Sequence, residues 1–82
     1  MSLPSVRALE RGLAIITLLN RHNSLTVTEV GKLSKLPRPT AYRLLKTLES
    51  TGYIFRDGSD KNYKLSDKVR SLSHRYDQDE MK

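Results

Sequence analysis

Apolar residues recur at helical spacing in the first part of the chain. This spacing predicts a helix over residues 6–20, with Ser5 as its N-cap. Ile15, Leu18 and Leu19 widen the apolar stripe beyond what one small core requires. The wider stripe fits either close packing within one subunit or a second apolar face for a partner subunit. The stripe itself consists of Val6, Leu9, Leu13 and Ile16.

A second, shorter helix is predicted to begin after Thr26. Thr26 and Glu29 have the spacing of a capping box, in which each side chain bonds the other residue's backbone amide. Gly31 is small enough to let another helix approach closely. Residues 34–37 end in proline and break the helix. Its predicted buried side consists of Val27, Val30 and Leu33.

A third helix is predicted over residues 38–50. Pro39 suits its first turn, where the missing amide hydrogen costs nothing. Gly52 follows as a left-handed cap. One side of this helix is apolar at spacings of three and four residues, and the polar and basic residues fall on the other side. The apolar stripe consists of Ala41, Leu44, Leu45 and Leu48.

The third helix is followed by two short segments rich in strand formers, 53–56 and 62–65. The turn chemistry between them predicts a β-hairpin, with Asp57 and Asp60 bonded to local backbone. Ser66 is predicted to cap a last helix, with Val69, Leu72 and Tyr76 at helical spacing, before a charged tail. The predicted fold is mainly α with a small β-hairpin: a winged helix-turn-helix with a three-helix core, a wing and a C-terminal linker helix.

Charge narrows the class of partner. The net charge is +6, and between Lys32 and Arg56 the chain carries six basic side chains against Glu49 alone. This balance suits a polyanion, although a solvated surface can show the same bias. The two histidines, His22 and His74, lie far apart, so no metal site or cofactor is expected.

Other functions find little support in the residues. The chain has no cysteine, no catalytic triad and no glycine-rich phosphate loop, so it is not expected to be an enzyme. No segment resembles a signal peptide or a membrane span, which favours a cytoplasmic protein. Binding of single-stranded nucleic acid would require several exposed aromatic side chains. A winged-helix protein-interaction module remains the main alternative, and it would show exposed aliphatic residues on the outer face of the third helix.

The third helix has what a recognition helix needs. The major groove of B-DNA admits one α-helix, whose inner side must be apolar and whose outer side must reach base edges and phosphates. N-terminal residues of such a helix reach bases most easily, so Arg38, Pro39 and Arg43 are the predicted base-reading residues. Ordinary solvation is the alternative explanation for each charge. The predicted phosphate or wing contacts are Thr26, Lys35, Thr40, Tyr42, Lys46, Lys61 and Asn62.

Three blocks of sequence, residues 7–16, 36–54 and 63–66, resemble the N-terminal domain of the IclR family of bacterial transcriptional regulators. Membership would imply double-stranded DNA as partner, dimers or tetramers, and control of catabolic operons. It would also imply a C-terminal domain that binds a small-molecule effector. Two residues depart from the family pattern. Pro39 replaces a small hydroxyl residue, which puts the base preference in doubt, and Phe55 replaces a charged one.

This resemblance implies a division of the chain. Residues 1–5 are expected to be an N-terminal tail or tag, and residues 6–65 the DNA-binding domain. Residues 66–82 are expected to be a linker helix and frayed tail leading to an absent effector domain. A homodimer is then expected to form through the first and last helices. Phe55 is either a single exposed aromatic residue or a contact with the missing domain or a partner subunit.

Overall fold

Three helices and a two-stranded antiparallel hairpin succeed one another within residues 4–69, which are the residues that the structure, a computed structural model, describes. This order confirms the predicted winged helix-turn-helix. Helices α2 and α3 are joined by a short turn, and the hairpin forms the wing. The elements are α1 (Pro4–His22), α2 (Val27–Ser34), α3 (Arg38–Thr51), β1 (Ile54–Arg56) and β2 (Tyr63–Leu65).

The ends of α1 extend beyond the prediction. The helix begins at Pro4, so Ser5 lies inside it and the predicted N-cap is wrong. A proline fits the first turn because the amide hydrogen it lacks would have no helical partner there. The helix runs on to His22 and is followed by Asn23, whose φ of 71° is left-handed. This left-handed conformation turns the chain sharply, and asparagine tolerates it better than most residues.

The start of α2 is built as the sequence predicts. The Thr26 hydroxyl accepts the Glu29 amide at 3.1 Å, and the Thr26 amide donates to the Glu29 carboxylate at 2.8 Å. At the other end Lys35 adopts a left-handed φ of 59°, and its amide bonds the carbonyls of Gly31 and Lys32. The chain therefore reverses within three residues and enters α3.

The core lies where α1, α2, α3 and the hairpin meet. On α3 the predicted apolar stripe faces inward, with Ala41 and Leu45 buried and Leu44 and Leu48 half-buried. Gly52 then ends the helix with a left-handed φ of 87°. The buried apolar residues are Ile15, Leu19, Leu25, Val30, Ala41, Leu45, Ile54 and Tyr63.

The structure corrects which face of α1 is buried. Leu9 and Leu13 of the predicted stripe are 63% and 56% exposed, whereas Ile15 and Leu19 fill the core. The helix carries two apolar stripes, and periodicity alone does not decide which one packs inward. Ile16 is half-buried between them, and the side chain of Val6 lies outside the described residues.

A smaller correction concerns α2. Val30 is buried and Val27 is half-buried, as predicted, but Leu33 is 47% exposed. Leu33 lies six residues after Val27, and the short helix turns its last apolar side chain away from the centre of the core. An apolar side chain is therefore left near the surface of α2.

The wing is tied to the body through a backbone bridge. Strands β1 and β2 pair Ile54 with Leu65 and Arg56 with Tyr63. Tyr63 also exchanges two backbone hydrogen bonds with Leu25, at 2.8 and 3.1 Å, in the loop between α1 and α2. Phe55, on the other face, is 42% exposed. The hairpin is thereby held in a fixed direction relative to α2 and α3.

The predicted last helix lies mostly outside the described residues. Ser66 accepts the Lys68 amide on its hydroxyl at 3.3 Å, and its carbonyl accepts the Val69 amide at 3.2 Å, which is consistent with a helix start. Leu72 and Tyr76, named in the prediction, lie outside the described residues. The division at residue 66 into a domain and a linker stays a prediction.

Candidate nucleic-acid interface

The outward side of α3 is polar and basic above an apolar inner side. Arg38, Pro39, Tyr42, Arg43 and Lys46 are all exposed, while Ala41 and Leu45 beneath them are fully buried. Within residues 4–69, no other segment covers Arg38 or Arg43. The helix is therefore docked by one face and presents the other to solvent, which is the arrangement that insertion into a groove of DNA requires.

The two predicted base-reading arginines differ in their surroundings. Arg43 makes no ion pair or hydrogen bond among residues 4–69 and extends freely from α3. Arg38, in the first turn, donates from Nε to the Thr28 hydroxyl of α2 at 3.4 Å. Arg38 thus contacts the start of α2, whereas Arg43 makes no such contact among the described residues. Pro39 lies exposed beside Arg38 in the first turn.

Further along α3, Lys46 is partly engaged by its own helix. Its ammonium lies 3.2 Å from the Glu49 carboxylate and 6.0 Å from the centroid of the Tyr42 ring. The hydrogen bond with Glu49 raises the pKa of Lys46 above its ordinary value. This pair is exposed and therefore worth little to stability, but it offsets part of the positive charge at this end of the helix.

The remaining predicted residues of the helices have mixed positions. Lys35 is exposed in the turn between α2 and α3. Thr40 is half-buried on α3. Thr26 uses its hydroxyl oxygen in the capping box, so that oxygen already accepts one hydrogen bond. The Thr26 backbone amide is also engaged, so the hydroxyl hydrogen is the donor that Thr26 can still offer to another group.

In the wing, Lys61 and Asn62 face different ways. Lys61 is exposed at the tip with a left-handed φ of 60°. Asn62 is half-buried, and its side-chain amide donates to the Ser24 hydroxyl at 3.3 Å. The sequence predicted both as contacts of the wing with nucleic acid. In the structure, the side-chain amide of Asn62 joins the wing to the loop after α1.

An ion cluster shapes the turn of the wing. The Lys64 ammonium lies 2.7 Å from the Asp57 carboxylate and 3.2 Å from that of Asp60. Hydrogen bonds from Lys64 and Ser59 lower the pKa of Asp57 well below its usual range, and bonds to Asp57 and Asp60 raise the pKa of Lys64. Asp57 and Asp60 also accept the backbone amides of Ser59 and Asn62, as the turn chemistry predicts.

A groove of ≈ 350 Å³ joins the wing to the two helices. It brings together Thr26, Arg38, Tyr42 and Lys61 from the predicted set. The other six predicted residues do not line it: Lys35, Pro39, Thr40, Arg43, Lys46 and Asn62. It also contains Thr28 and Arg56, which sequence reasoning did not select. Arg56 follows the buried Ile54 by two residues and so shares its side of the strand. This alternation was visible in the sequence, but the position of the groove was not.

Two other classes of site were considered for the described part of the chain. Among residues 4–69 no group of three or more histidine, aspartate or glutamate side chains is arranged to hold a metal ion. Within the same range no helix is both long enough and apolar enough to cross a membrane. The basic face of α3 and the wing groove are therefore the features on which a functional argument can rest.

The fold and this surface define a winged helix-turn-helix domain of the DNA-binding class. The family model for the IclR helix-turn-helix domain matches residues 8–58. This chain therefore belongs to the IclR family of transcriptional regulators, and the resemblance seen in the three sequence blocks is confirmed.

Named relatives agree with this assignment. The chain is 34% identical over 73 residues to the HTH-type transcriptional regulator XynR of Escherichia coli, covering 88% of this chain and 29% of that protein. It is 37% identical over 70 residues to the Pca regulon regulatory protein of Pseudomonas putida, covering 84% of this chain and 23% of that protein. The chain thus spans less than a third of the length of these relatives.

Solved structures give the same result. An IclR family transcriptional regulator from Brucella abortus superposes with a TM-score of 0.78 at 31% identity, over 84% of this chain and 27% of that chain. A second regulator, from Alicyclobacillus acidocaldarius, superposes with a TM-score of 0.80 over 93% of this chain and 30% of that chain. Its identity is 24%, so it supports the fold alone.

Proposed function

We propose that this domain binds double-stranded DNA sequence-specifically, as the DNA-reading part of a bacterial IclR-type regulator of catabolic genes. The observation that carries the proposal is the exposed, basic outer face of α3 above its buried apolar stripe. Relatives named for the Pca regulon and as KdgR regulators support the regulatory role. As a DNA-reading module in the bacterial cytoplasm, the domain has no catalytic task.

Base reading is assigned to the first half of α3. Arg43 is the leading candidate because its guanidinium is unrestrained and can pair with guanine through two hydrogen bonds. Arg38 and Pro39 stand in the first turn, where a recognition helix enters the major groove; Pro39 offers an apolar contact to a thymine methyl group. These contacts would determine which sequence is bound.

Contacts with phosphates would fix the position of the domain without reading the sequence. In this proposal Lys35 and Lys61 meet the DNA backbone from the turn and from the wing. Asn62 approaches the DNA less closely than Lys61, because its amide is engaged with Ser24. The other proposed backbone contacts are made by Thr26, Thr40, Tyr42 and Lys46.

The whole regulator is proposed to act as a homodimer on a near-palindromic operator. Leu9 and Leu13 of α1 are exposed on one side of the helix and offer an apolar face to a second copy. The last helix would complete this interface, and a domain beyond residue 82 would bind the small-molecule effector. The alternative of a protein-interaction module is disfavoured, since no exposed aliphatic residue lies on the described outer face of α3.

Selection from a random duplex pool, followed by measurements on one variant, tests the proposal. We expect wild-type protein to enrich a near-palindrome, and Arg43→Ala to weaken that site about 5- to 150-fold, equivalent to ~1–3 kcal/mol. Binding to a scrambled duplex should fall much less. Arg11→Ala, an exposed arginine on α1, is the matched control. Failure to enrich any site, or equal losses on both duplexes, would contradict base reading by α3.

A further inference from the structure

Three cationic side chains from three different elements meet in the groove between the wing and the helices. Arg38 comes from the first turn of α3, Arg56 from the end of β1, and Lys61 from the turn of the wing. Arg38 is distant in sequence from the two residues of the hairpin, and the bridge between Tyr63 and Leu25 holds the wing against the helices. The fold itself therefore concentrates positive charge at this junction.

Both arginines are oriented by the protein through the same nitrogen. Arg38 donates from Nε to the Thr28 hydroxyl at 3.4 Å, and Arg56 donates from Nε to the Lys61 carbonyl at 3.2 Å. Among the described residues, the terminal amino groups of the two guanidinium groups make no hydrogen bond or ion pair, and the Arg56 guanidinium lies 6.0 Å from the centroid of the Tyr63 ring. A hydrogen bond at Nε restricts the rotation of an arginine side chain and leaves its two terminal amino groups free to donate. That fork matches the oxygens of a phosphate.

The groove contains one carboxylate among its lining residues, that of Asp60, and this carboxylate is engaged elsewhere. The Lys64 ammonium lies 3.2 Å from the Asp60 carboxylate, and the backbone amide of Asn62 donates to that carboxylate at 2.9 Å. Repulsion of an incoming anion is therefore reduced. The hydroxyls of Thr28 and Tyr42 add further polar groups at the wall, and Thr28 keeps a hydrogen to donate because its oxygen is the acceptor for Arg38.

We infer that this groove binds a backbone phosphate of duplex DNA, with Arg56 as the principal ligand and Arg38 and Thr28 beside it. The inference rests on the proposed function and deepens it. It gives Arg38 a share in phosphate binding, and it adds two DNA contacts, Arg56 and Thr28, to those named above. A phosphate on the DNA strand next to the recognition helix would then be held between α3 and the wing. This contact sets the depth and angle at which α3 enters the groove of DNA.

The first test is the salt dependence of duplex binding by Arg56→Gln. Neutralising one phosphate fewer in each subunit lowers the slope of log affinity against log salt by about 1 per bound subunit, and so by about 2 for a dimer on a palindrome. We expect that decrease, with affinity falling by a similar factor on the selected site and on a scrambled duplex. Arg21→Gln, an exposed arginine at the end of α1, should leave the slope unchanged. Arg56→Lys should retain the slope, because the charge remains.

A second test identifies the phosphate. Duplexes carrying a neutral methylphosphonate at one position at a time are scanned with wild-type protein and with Arg56→Gln. We expect one position per half-site that weakens wild-type binding but no longer affects the variant. Titration with inorganic phosphate, followed by amide chemical shifts, tests whether a free phosphate suffices. We expect no saturable shift of the wing amides at millimolar phosphate, and saturable binding would overturn the assignment to the DNA backbone.

The two proposals fail in distinguishable ways. If wild-type protein shows no salt-dependent binding to any duplex, both are overturned. If wild-type binds but Arg56→Gln retains its slope and its sensitivity at every methylphosphonate, only the phosphate groove is overturned. Wing amide shifts in Arg56→Gln that differ from wild-type only beside the lost bond to the Lys61 carbonyl show that a lost slope reflects the guanidinium and not a displaced hairpin.

Discussion

At the scale of single residues, two helical glycines have very different surroundings. A Cβ placed on Gly31 of α2 would lie 3.1 Å from the carbonyl oxygen of Leu36 and 3.8 Å from the Cβ of Ala41. A Cβ on Gly12 of α1 would meet the Leu48 side chain at 3.7 Å, which is an ordinary contact. Gly31 therefore lets the turn after α2 pass close to that helix, while its distance to Ala41 of α3 is an ordinary contact. Gly12 is not required by its neighbours.

The same substitution should have opposite effects at these two sites. Gly12→Ala is expected to stabilise the domain by about 0.5–1 kcal/mol, because alanine is the better helix former. Gly31→Ala is expected to destabilise it by about 1 kcal/mol. The Leu36 carbonyl belongs to a tight turn, in which the Leu36 amide donates to the Gly31 carbonyl at 2.9 Å. The added methyl group therefore has no flexible neighbour to displace. Urea unfolding of both variants tests this pair, and shifts of the same sign would contradict it.

The chemistry of local motifs was predictable from the sequence, and long-range proximity was not. Thr26 and Glu29 form the capping box because both partners lie within one turn of chain. The solvent exposure of Arg43 followed from its place opposite the apolar stripe of α3. Thr28 was missed because its contact with Arg38 depends on how α3 packs against α2. Arg56 was missed because its proximity to Arg38 depends on the direction in which the wing folds back. That direction is set by the bridge between Leu25 and Tyr63, residues separated by most of the domain.

At the scale of elements, the wing is a short hairpin that relies on an ion cluster. Its strands contain three residues each, and such hairpins are marginal without other support. Lys64 contacts two carboxylates of the turn, and its side chain is half-buried between them. The cluster therefore fixes the loop that carries Lys61.

Replacing the central lysine should loosen the wing while leaving the helices intact. Lys64→Gln removes the ion pairs with Asp57 and Asp60, so the Lys64 ammonium no longer neutralises the negative charge of these two carboxylates. We expect faster hydrogen exchange of the Asp57 and Lys61 amides, which are bonded within the wing, and unchanged exchange in α3. Lys32→Gln, an exposed lysine of α2, is the control. Unchanged exchange in the wing of Lys64→Gln would show that the backbone bonds alone hold it.

The same cluster gives the wing a dependence on pH. The pKa of Asp57 is lowered by Lys64 and by Ser59, so its contribution is present above the unfolded pKa of about 3.9 and is lost as the pH falls through the folded value. The pKa of Lys64 is raised, so its contribution is lost only as the pH rises through the folded value, in the alkaline range. Amide exchange in the wing, corrected for intrinsic rates, should therefore accelerate in acid well before α3 is affected, and parallel acceleration in both would contradict local control.

At the scale of the whole molecule, the order of elements was predictable and the use of α1 was not. Helical periodicity found α1, but its two apolar stripes compete, and the packed partner decides between them. Ile15 and Leu19 meet the buried residues of α3 and the wing, which leaves Leu9 and Leu13 exposed on one side. Leu9 and Leu13 lie one helical turn apart and together expose an apolar surface that a partner subunit would cover. They support the proposed homodimer.

Introducing negative charge on this side of α1 tests the dimer and its link to DNA. We expect the double variant Leu9→Glu, Leu13→Glu to remain folded, since neither side chain is in the core, and to sediment as a monomer at concentrations where wild-type protein self-associates. Leu33→Glu, at a comparably exposed leucine on α2, is the matched control and should behave like wild-type.

Two recognition helices in a dimer would be about 34 Å apart, one turn of DNA, or a multiple of that spacing. Loss of the dimer should therefore weaken binding to a palindrome far more than binding to a half-site, because the second half-site contributes only when both helices are joined. Equal weakening on both duplexes, or a double variant that still self-associates, would place the subunit interface elsewhere in the regulator.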